Sequence, residues 1–512
     1  MWDEGDHFVG GLLFSRGQID SWIWTNSFYP PIFDMVTAAF FILGGGPSVF
    51  AGKFVALTFC VLSMIVIYAI AERMYGAKTA LLSAVFFGIM PGIIWASRMA
   101  MIETMLIFIL STVMLFFFRW LKTGSERDRI FFTVAIGIGA AIKYQMLVIA
   151  PLIVIAGMFF WKRDYLKREI ASYFRHPRVI LTIIAVTVVV VAASAVLLSG
   201  LLDIWFYAIQ FGTAEKAAYS IRYPMPIYYL IEMTWISSDI FPTWIINDIH
   251  PISPLLYITG LIGMALFAFR RKSQDKFLLL WFTVVYLVFT AIPNREWRYV
   301  TTLFPVLSIS AASIIIFAFS RFQKIWQNSN VSVNKKRLAR IAALVLIMFT
   351  VIGISYSCYN SYNWIEQDRV QAPVGEAVGY VAQSLNENGS LMVVCPLNYF
   401  NKQIARFYLN LDTSRQNNIS QYPKFAVDAY VPELNITELI EVCEQNHTQY
   451  AMLYEYEATE KYFGSALTAM QVHDILIETG RFSFQASIGV EPRRIFIFEF
   501  KQQTDSLDLL QP

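Results

Sequence analysis

Three stretches of this chain carry no charged side chain: Phe54–Ala71, Val179–Leu202 and Ile341–Trp364. Each is long enough to cross a hydrocarbon core of ~30 Å as a helix. One such stretch would suit a buried helix of a large soluble protein. A series of them, separated by Arg/Lys clusters, does not. Composition agrees, with 15% charged residues against about 25% in soluble domains.

Ten spans are read, at 52–71, 78–95, 103–121, 129–144, 146–160, 178–199, 252–269, 276–292, 299–319 and 339–358. Cytoplasmic loops collect Lys and Arg. With ten spans, the clusters at Arg73/Lys78, Arg119–Arg129, Lys162–Arg178, Arg270–Lys276 and Arg321–Arg340 all fall on one side. Merging the fourth and fifth spans would put the first two clusters opposite the other three. The basic side is therefore placed in the cytoplasm. The stretch 1–50 becomes a first outer loop, 51–360 the membrane domain and 361–512 an extracytoplasmic domain. The net charge of +3 gives no reason to include nucleic acid among the partners.

From about residue 365 the pattern changes. Leu391–Cys395, Tyr450–Tyr454 and Arg494–Phe500 read as strands; Val374–Asn386, Thr437–Asn446 and Gly464–Thr479 read as helices. The fold class is thus a mainly α, polytopic helical bundle with a soluble C-terminal α/β domain. Cys395 and Cys443 could pair if this domain is extracytoplasmic; ordinary buried thiols are the competing reading.

The chemistry-bearing residues collect on the outer side. Asp3, Glu4 and Asp6 are three carboxylates in four residues, which repel unless a cation, donors or open water relieve them. Arg98 and Glu103 sit at span ends, where ionisable groups face a polar cavity or a partner; a simple Arg–Glu pair is the plain alternative. Lys143 ends a short span, where snorkelling would also account for it. Arg295 and Arg298 flank Trp297 and could clamp a phosphate with planar donor forks, or serve as interfacial anchors. Tyr29-Pro30-Pro31 is expected to enter the first hydrophobic stretch in extended form. Gly44-Gly45-Gly46 reads as a turn, and Gly52-Lys53-Phe54 lacks the pattern of a P-loop.

Carboxylates and cations on one membrane face suit a reaction whose leaving group is a membrane phosphate. A carboxylate would act as general base and Arg or Lys would offset the phosphate charge. A transporter would instead place charges near mid-membrane and show repeats, and neither is seen. A non-enzymatic scaffold, with the tail as its binding module, ranks third.

Several motifs occur in a familiar order: Trp2-Asp-Glu-Gly-Asp6, Gly17-Gln-Ile19, Tyr29-Pro-Pro-Ile-Phe33, Arg98-Met-Ala-Met-Ile-Glu103, Gly139-Ala-Ala-Ile-Lys143 and Arg298-Tyr-Val-Thr-Thr-Leu-Phe-Pro305. Over about 1–320 the chain resembles the protein O-mannosyltransferase and aminoarabinose transferase group, membrane glycosyltransferases of the GT-C fold. The resemblance implies an inverting transfer of sugar from a polyprenyl- or dolichyl-phosphate donor to a protein, lipid or glycan acceptor on the extracytoplasmic face, in the cell membrane or the endoplasmic reticulum membrane. Asp3 matches the family's essential aspartate, Glu4 its companion and Glu103 the second acidic position. Arg98, Lys143 and Arg298 would by position contact the donor phosphate. Arg295, Asp6 and Tyr29 complete the expected substrate-binding set, although Tyr29 stands where relatives often have a basic residue or His. Paired acidic residues permit a divalent cation without a compelling ligand set. The family has a further helix before the Asp-Glu motif, so a chain starting at the motif is expected to lack that span. No Trp-Trp-Asp occurs in the tail, which argues against transfer of whole glycans to asparagine.

Overall fold

The computed structural model describes residues 2–25, 29–167, 223–236, 250–293, 295–367, 372–386, 389–394, 400–411, 418–423, 434–455, 467–491 and 493–502. The apolar stretches are helices. They are α1 (Trp2–Ser15), α2 (Ile19–Thr25), α3 (Ile32–Leu43), α4 (Val49–Tyr75), α5 (Ala77–Gly88), α6 (Pro91–Arg98), α7 (Ile102–Thr123), α8 (Glu126–Ala140), α9 (Met146–Trp161), α10 (Tyr228–Glu232), α11 (Pro254–Arg270), α12 (Ser273–Ala291), α13 (Phe304–Gln327) and α14 (Val333–Gln367). A tight 3-10 stretch, Trp297–Leu303, leads into α13.

Five of these are long and apolar enough to cross a membrane, with Trp297–Gln327 taken as one helix, and the bent pair α5–α6 makes a sixth. The chain is a multi-pass membrane protein. Nine of the ten spans read from the sequence fall on described helices; 178–199 lies outside the described residues. Helices α8 and α9 are separate, as the charge argument required. At 15 and 16 residues each is shorter than the ~20 residues of a full crossing.

Sequence chemistry sets the helix ends. Ser48 caps α4 by accepting from the Ala51 amide at 3.1 Å. Gly124, in the left-handed region with φ 69°, ends α7. The bend of 61° between α5 and α6 follows from Pro91, which has no N–H to give to the preceding turn. The Ile89 carbonyl left over at the break accepts from Ser357 and Ser361 of α14, at 2.8 and 3.3 Å. Below the break, Trp95, Trp297 and Trp364 pack ring to ring with centroids 5.5–5.9 Å apart.

The stretch 1–50, read from the sequence as a first outer loop, is mostly helix in its described part. Phe8, Val9 and Leu12 of α1 are buried, and Thr37 and Phe41 of α3 crowd against Gly11. Pro31 is not extended either. At φ −77° and ψ −19° it stands directly before α3, a place that suits its fixed φ.

The tail is a mixed five-stranded sheet in the order β2-β1-β3-β5-β4. The strands are β1 (Ser390–Val394), β2 (Ile419–Tyr422), β3 (Thr448–Tyr454), β4 (Phe482–Ile488) and β5 (Ile495–Phe500). β1 lies parallel to β2 and β3, and the β3–β5 and β4–β5 pairs are antiparallel. Helices α15 (Val374–Ser384), α16 (Lys402–Leu409), α17 (Ile436–Gln445) and α18 (Ala469–Glu478) accompany it. β1 is buried along its whole length, as a central strand covered on both faces should be.

Cys443 is a free, buried thiol, and Cys395 lies outside the described residues. Burial pushes the Cys443 thiol up to about 12, and a thiol is not the nucleophile. With the other cysteines replaced by serine, Cys443 is expected to resist maleimide at pH 8 in the native protein and to label fully after denaturation. Fast native labelling would contradict its burial.

One end of the bundle is tied by Asp275, fully buried at the start of α12. It accepts from Tyr75 Oη at 2.7 Å, from Arg270 Nε and Nη2 at 2.7 and 2.5 Å, and from the Lys272 amide at 3.1 Å. Arg119 pairs with Asp128 at 3.0 Å at the same end of α7 as Lys122. The candidate site lies at the other end of α7.

Candidate active site at the Glu103 end of the bundle

Helix α7 has 22 residues, about 33 Å at 1.5 Å per residue. Glu103 in its first turn and Lys122 in its last are therefore a membrane's thickness apart. Both signs follow the helix dipole, acid at the N-terminus and base at the C-terminus. Before Glu103 the chain is extended at Met99 and Met101, which turns α6 into α7 and presents the Ala100 amide.

Glu103 and Lys143 form a buried ion pair at 3.1 Å, with side chains 3% and 7% exposed. Lys143 reaches Glu103 from the turn between α8 and α9, where its own amide is held by the Gly139 carbonyl at 2.9 Å. Its ammonium also lies 5.6 Å from the Tyr299 ring centroid. Among the described residues, Glu103 Oε2 is buried with no hydrogen-bond partner. The sequence offered Arg98 as the partner of Glu103, and the structure gives that place to Lys143. Lys143 is 5% exposed and is no snorkelling surface lysine.

The acidic helix α1 joins the same end. Glu4 accepts from the Ala100 amide at 3.2 Å and lies 3.5 Å from Lys53 Nζ of α4. Asp3 sits in the first turn of α1; its side chain is outside the described residues. Asp6 is buried; burial lowers the Arg406 guanidinium of the tail, and the charge of Asp6 opposes this. Tyr29 is buried with its ring 5.0 Å from the His7 ring.

Arg298 and Glu296 form a two-pronged pair, with Arg298 Nε bonded to Oε1 and Nη2 donating to Oε2 at 2.7 Å. The Arg295 guanidinium lies 6.0 Å from the Tyr228 ring centroid, and Tyr228 Oη donates to the Arg295 carbonyl at 3.1 Å. Burial pushes the Tyr228 phenol well above its ordinary value, and Glu232 adds to this. Of the aromatics in the loop 200–251, Tyr228 and Tyr229 are fully buried; Trp205, Phe206, Tyr207, Tyr219 and Trp244 lie outside the described residues.

One buried group escaped the sequence reading. His7 Nδ1 lies 2.7 Å from Asp34 Oδ1, and Trp22 Nε1 donates to Asp34 Oδ2 at 2.8 Å. His7 and Asp34 are both fully buried. This ties α1, α2 and α3 together beneath the carboxylates. Gly10 makes room for it, since a Cβ there would meet Asp34 Oδ2 at 2.1 Å. A signal was present. Asp34 is the only charge in the apolar run Ile32–Leu43, and a lone carboxylate in such a run has a partner.

Among the described residues no three His, Cys, Asp or Glu side chains gather as ligands for a metal ion. The arrangement supplies carboxylates that can accept a proton and cations that can hold an anion, all at one end of the bundle.

Residues 29–194 match the family model described as dolichyl-phosphate-mannose-protein mannosyltransferase. No curated protein matches the sequence. Among solved structures, ArnT from Cupriavidus metallidurans bound to undecaprenyl phosphate has a TM-score of 0.56 at 13% identity, covering 97% of this chain and 93% of that one. Its apo state gives 0.54 at 14% identity, with the same coverage. The Archaeoglobus fulgidus oligosaccharyltransferase in complex with Zn and sulfate gives 0.50 at 12% identity, covering 84% of this chain and 59% of that one. At these identities the likeness is one of fold, and the fold is GT-C.

Proposed function

We propose that this chain, with the GT-C glycosyltransferase fold, transfers one sugar from a polyprenyl- or dolichyl-phosphate carrier to an acceptor hydroxyl of a protein, lipid or glycan. The observation that carries this reading is the buried Glu103–Lys143 pair, set at the same end of the bundle as Glu4 and the Arg298 turn. Burying charge is costly unless it is paired and used. The match of residues 29–194 to a family using a lipid-phosphate sugar supports the same donor class, as does the undecaprenyl phosphate bound by ArnT.

Asp3 is the base or the acceptor-orienting group, with Glu4 beside it. The acceptor oxygen bonds to the sugar's anomeric carbon as the bond to phosphate oxygen breaks. The acceptor's proton goes to the carboxylate, and the electron pair leaves with the lipid phosphate. Attack opposite the leaving group inverts the anomeric centre. Glu103 Oε2, lacking a donor among the described residues, accepts from the incoming substrate. Lys143, Arg98, Arg295 and Arg298 offset the phosphate charge, with phosphate taking over the Arg298 fork from Glu296. Asp6 and Tyr29 act by holding α1. The opposite end carries Arg119, Lys122 and Arg270, which supports a cytoplasmic side there, by the excess of cations on that side, and an outer side for the site and tail.

The test is reconstitution of the full chain with a panel of radiolabelled polyprenyl-phosphate sugars in acceptor-bearing membranes. One donor is expected to pass label to a membrane or protein acceptor and release polyprenyl phosphate. Absence of transfer from every donor overturns the reading.

A further inference from the structure

His7 stands one turn after Asp3 and Glu4 on α1. Its Nδ1 lies 2.7 Å from Asp34 Oδ1, and both side chains are fully buried. A carboxylate only accepts, so Asp34 as an anion keeps a hydrogen on His7 Nδ1. The second oxygen of Asp34 accepts from Trp22 Nε1 of α2 at 2.8 Å. The imidazole also packs against Tyr29 and Phe33, with ring centroids 5.0 and 4.5 Å away. Asp34 is itself tied to the other half of the site. It lies in the first turn of α3, two residues after Ile32. The Ile32 amide donates to the Ala141 carbonyl at 3.3 Å, and Ala141 lies two residues before Lys143.

A run of contacts thus leads from α1 through His7, Asp34 and Ile32 to the turn that carries Lys143. Glu4 makes a second tie, to the Ala100 amide ahead of Glu103. On its other side α1 meets the tail by an apolar stack, Phe8 on Phe407 of α16 with centroids 4.9 Å apart. Apolar contacts tolerate small rotations, whereas a hydrogen bond weakens steeply once it is bent. Side-chain tips lie ~5–6 Å from a helix axis, so a rotation of α1 by about 20° would swing groups in its first turn by about 2 Å. Gly10 keeps α1 close enough for the His7–Asp34 bond, since a Cβ there would meet Asp34 Oδ2 at 2.1 Å.

We infer that His7 and Asp34 are positioning residues of the transfer reaction: their buried hydrogen bond fixes α1 against α3, and so fixes the acidic turn relative to the Glu103–Lys143 pair. The catalytic consequence rests on the proposed glycosyl transfer from a lipid-phosphate donor; the fixing of the two turns does not.

Variants of the full chain in proteoliposomes test this, assayed with the donor that the wild type accepts. His7→Leu fills the space but takes one hydrogen-bond donor from Asp34. It is expected to lower kcat roughly 100-fold, the scale of a misplacement of about 1 Å, with donor KM within about 2-fold of wild type and a lower thermal midpoint. His7→Asn keeps an N–H near the place of Nδ1 and is expected to bring kcat back to within about 5-fold of wild type. The double variant His7→Leu/Asp34→Asn leaves no uncompensated charge, so its thermal midpoint should return towards wild type while kcat stays low. Spin labels at the exposed Gln18 and Val148, in a background without native cysteines, should give one narrow distance in the wild type and His7→Asn and a broadened one in both Leu variants. Wild-type kcat in His7→Leu overturns the inference. So does a double variant that regains kcat together with stability, or a His7→Asn variant as slow as His7→Leu, since the pair would then serve the fold alone. A wild type that transfers no sugar fails the proposed function instead, and an unchanged label distance in His7→Leu would still overturn the fixing role.

Discussion

Replacing Asp3 by asparagine, or Glu103 by glutamine, is expected to cut sugar transfer by roughly 10²–10⁴-fold, the range for removing a positioned general base or its partner. Both substitutions keep shape and hydrogen bonding while removing the charge. Glu103→Gln still lets Lys143 donate to the side chain, from the 3.1 Å separation seen here, so the protein should insert and fold. The measurement is the initial rate of label transfer in membranes, normalised to inserted protein. Donor binding should change little, because the cations at Arg98, Lys143 and Arg298 stay in place. If both variants transfer at the wild-type rate, the acid–base roles assigned to Asp3 and Glu103 are wrong. If only Glu103→Gln is silent, Asp3 carries the proton alone.

Lys143→Met is expected to act on stability as well as on catalysis. It leaves Glu103, 3% exposed, as a buried carboxylate without its counter-charge, a loss of about 3–5 kcal/mol. Combining it with Glu103→Gln should restore most of the stability, since no charge is then left unpaired, yet transfer should remain absent. Thermal unfolding in detergent reads the first effect and the transfer assay the second. A double variant no more stable than Lys143→Met would mean that the pair is not coupled as its geometry indicates.

Much of this was legible in the sequence because lipid imposes a simple code. Charge-free runs marked the helices, and the Arg/Lys clusters correctly separated α8 from α9. In the tail, three strands and three helices were readable from alternation and helical period. What escaped has physical reasons. β2 is four residues long with too little sequence to show alternation, and β4 alternates but is mostly exposed or part-exposed and went unread. Helix α16 has a clear apolar face but is eight residues long, shorter than the window over which helical period is read. The partner of Glu103 depended on a turn 40 residues away, and no local rule ties Lys143 to it. Arg98, nearer in sequence, was the partner weighed as the plain alternative. The helices within 1–50 went unread because α1 is not itself strongly amphipathic. Its helix is held by two separate surfaces, α3 and α16, and neither is visible from α1.

The break between α5 and α6 bears on how the chain is made. The Ile89 carbonyl is satisfied by Ser357 and Ser361, 268 and 272 residues further on. Those serines lie on α14, the last of the described membrane helices. During synthesis the kinked span thus enters the bilayer with an unsatisfied carbonyl, which lipid cannot solvate, and it must keep water or another surrogate until α14 emerges. Assembly of the turn that carries Arg98 and Glu103 is therefore a late event in biogenesis. A ribosome stalled before residue 357 would hold a bundle whose spans are inserted but whose catalytic end is not yet closed.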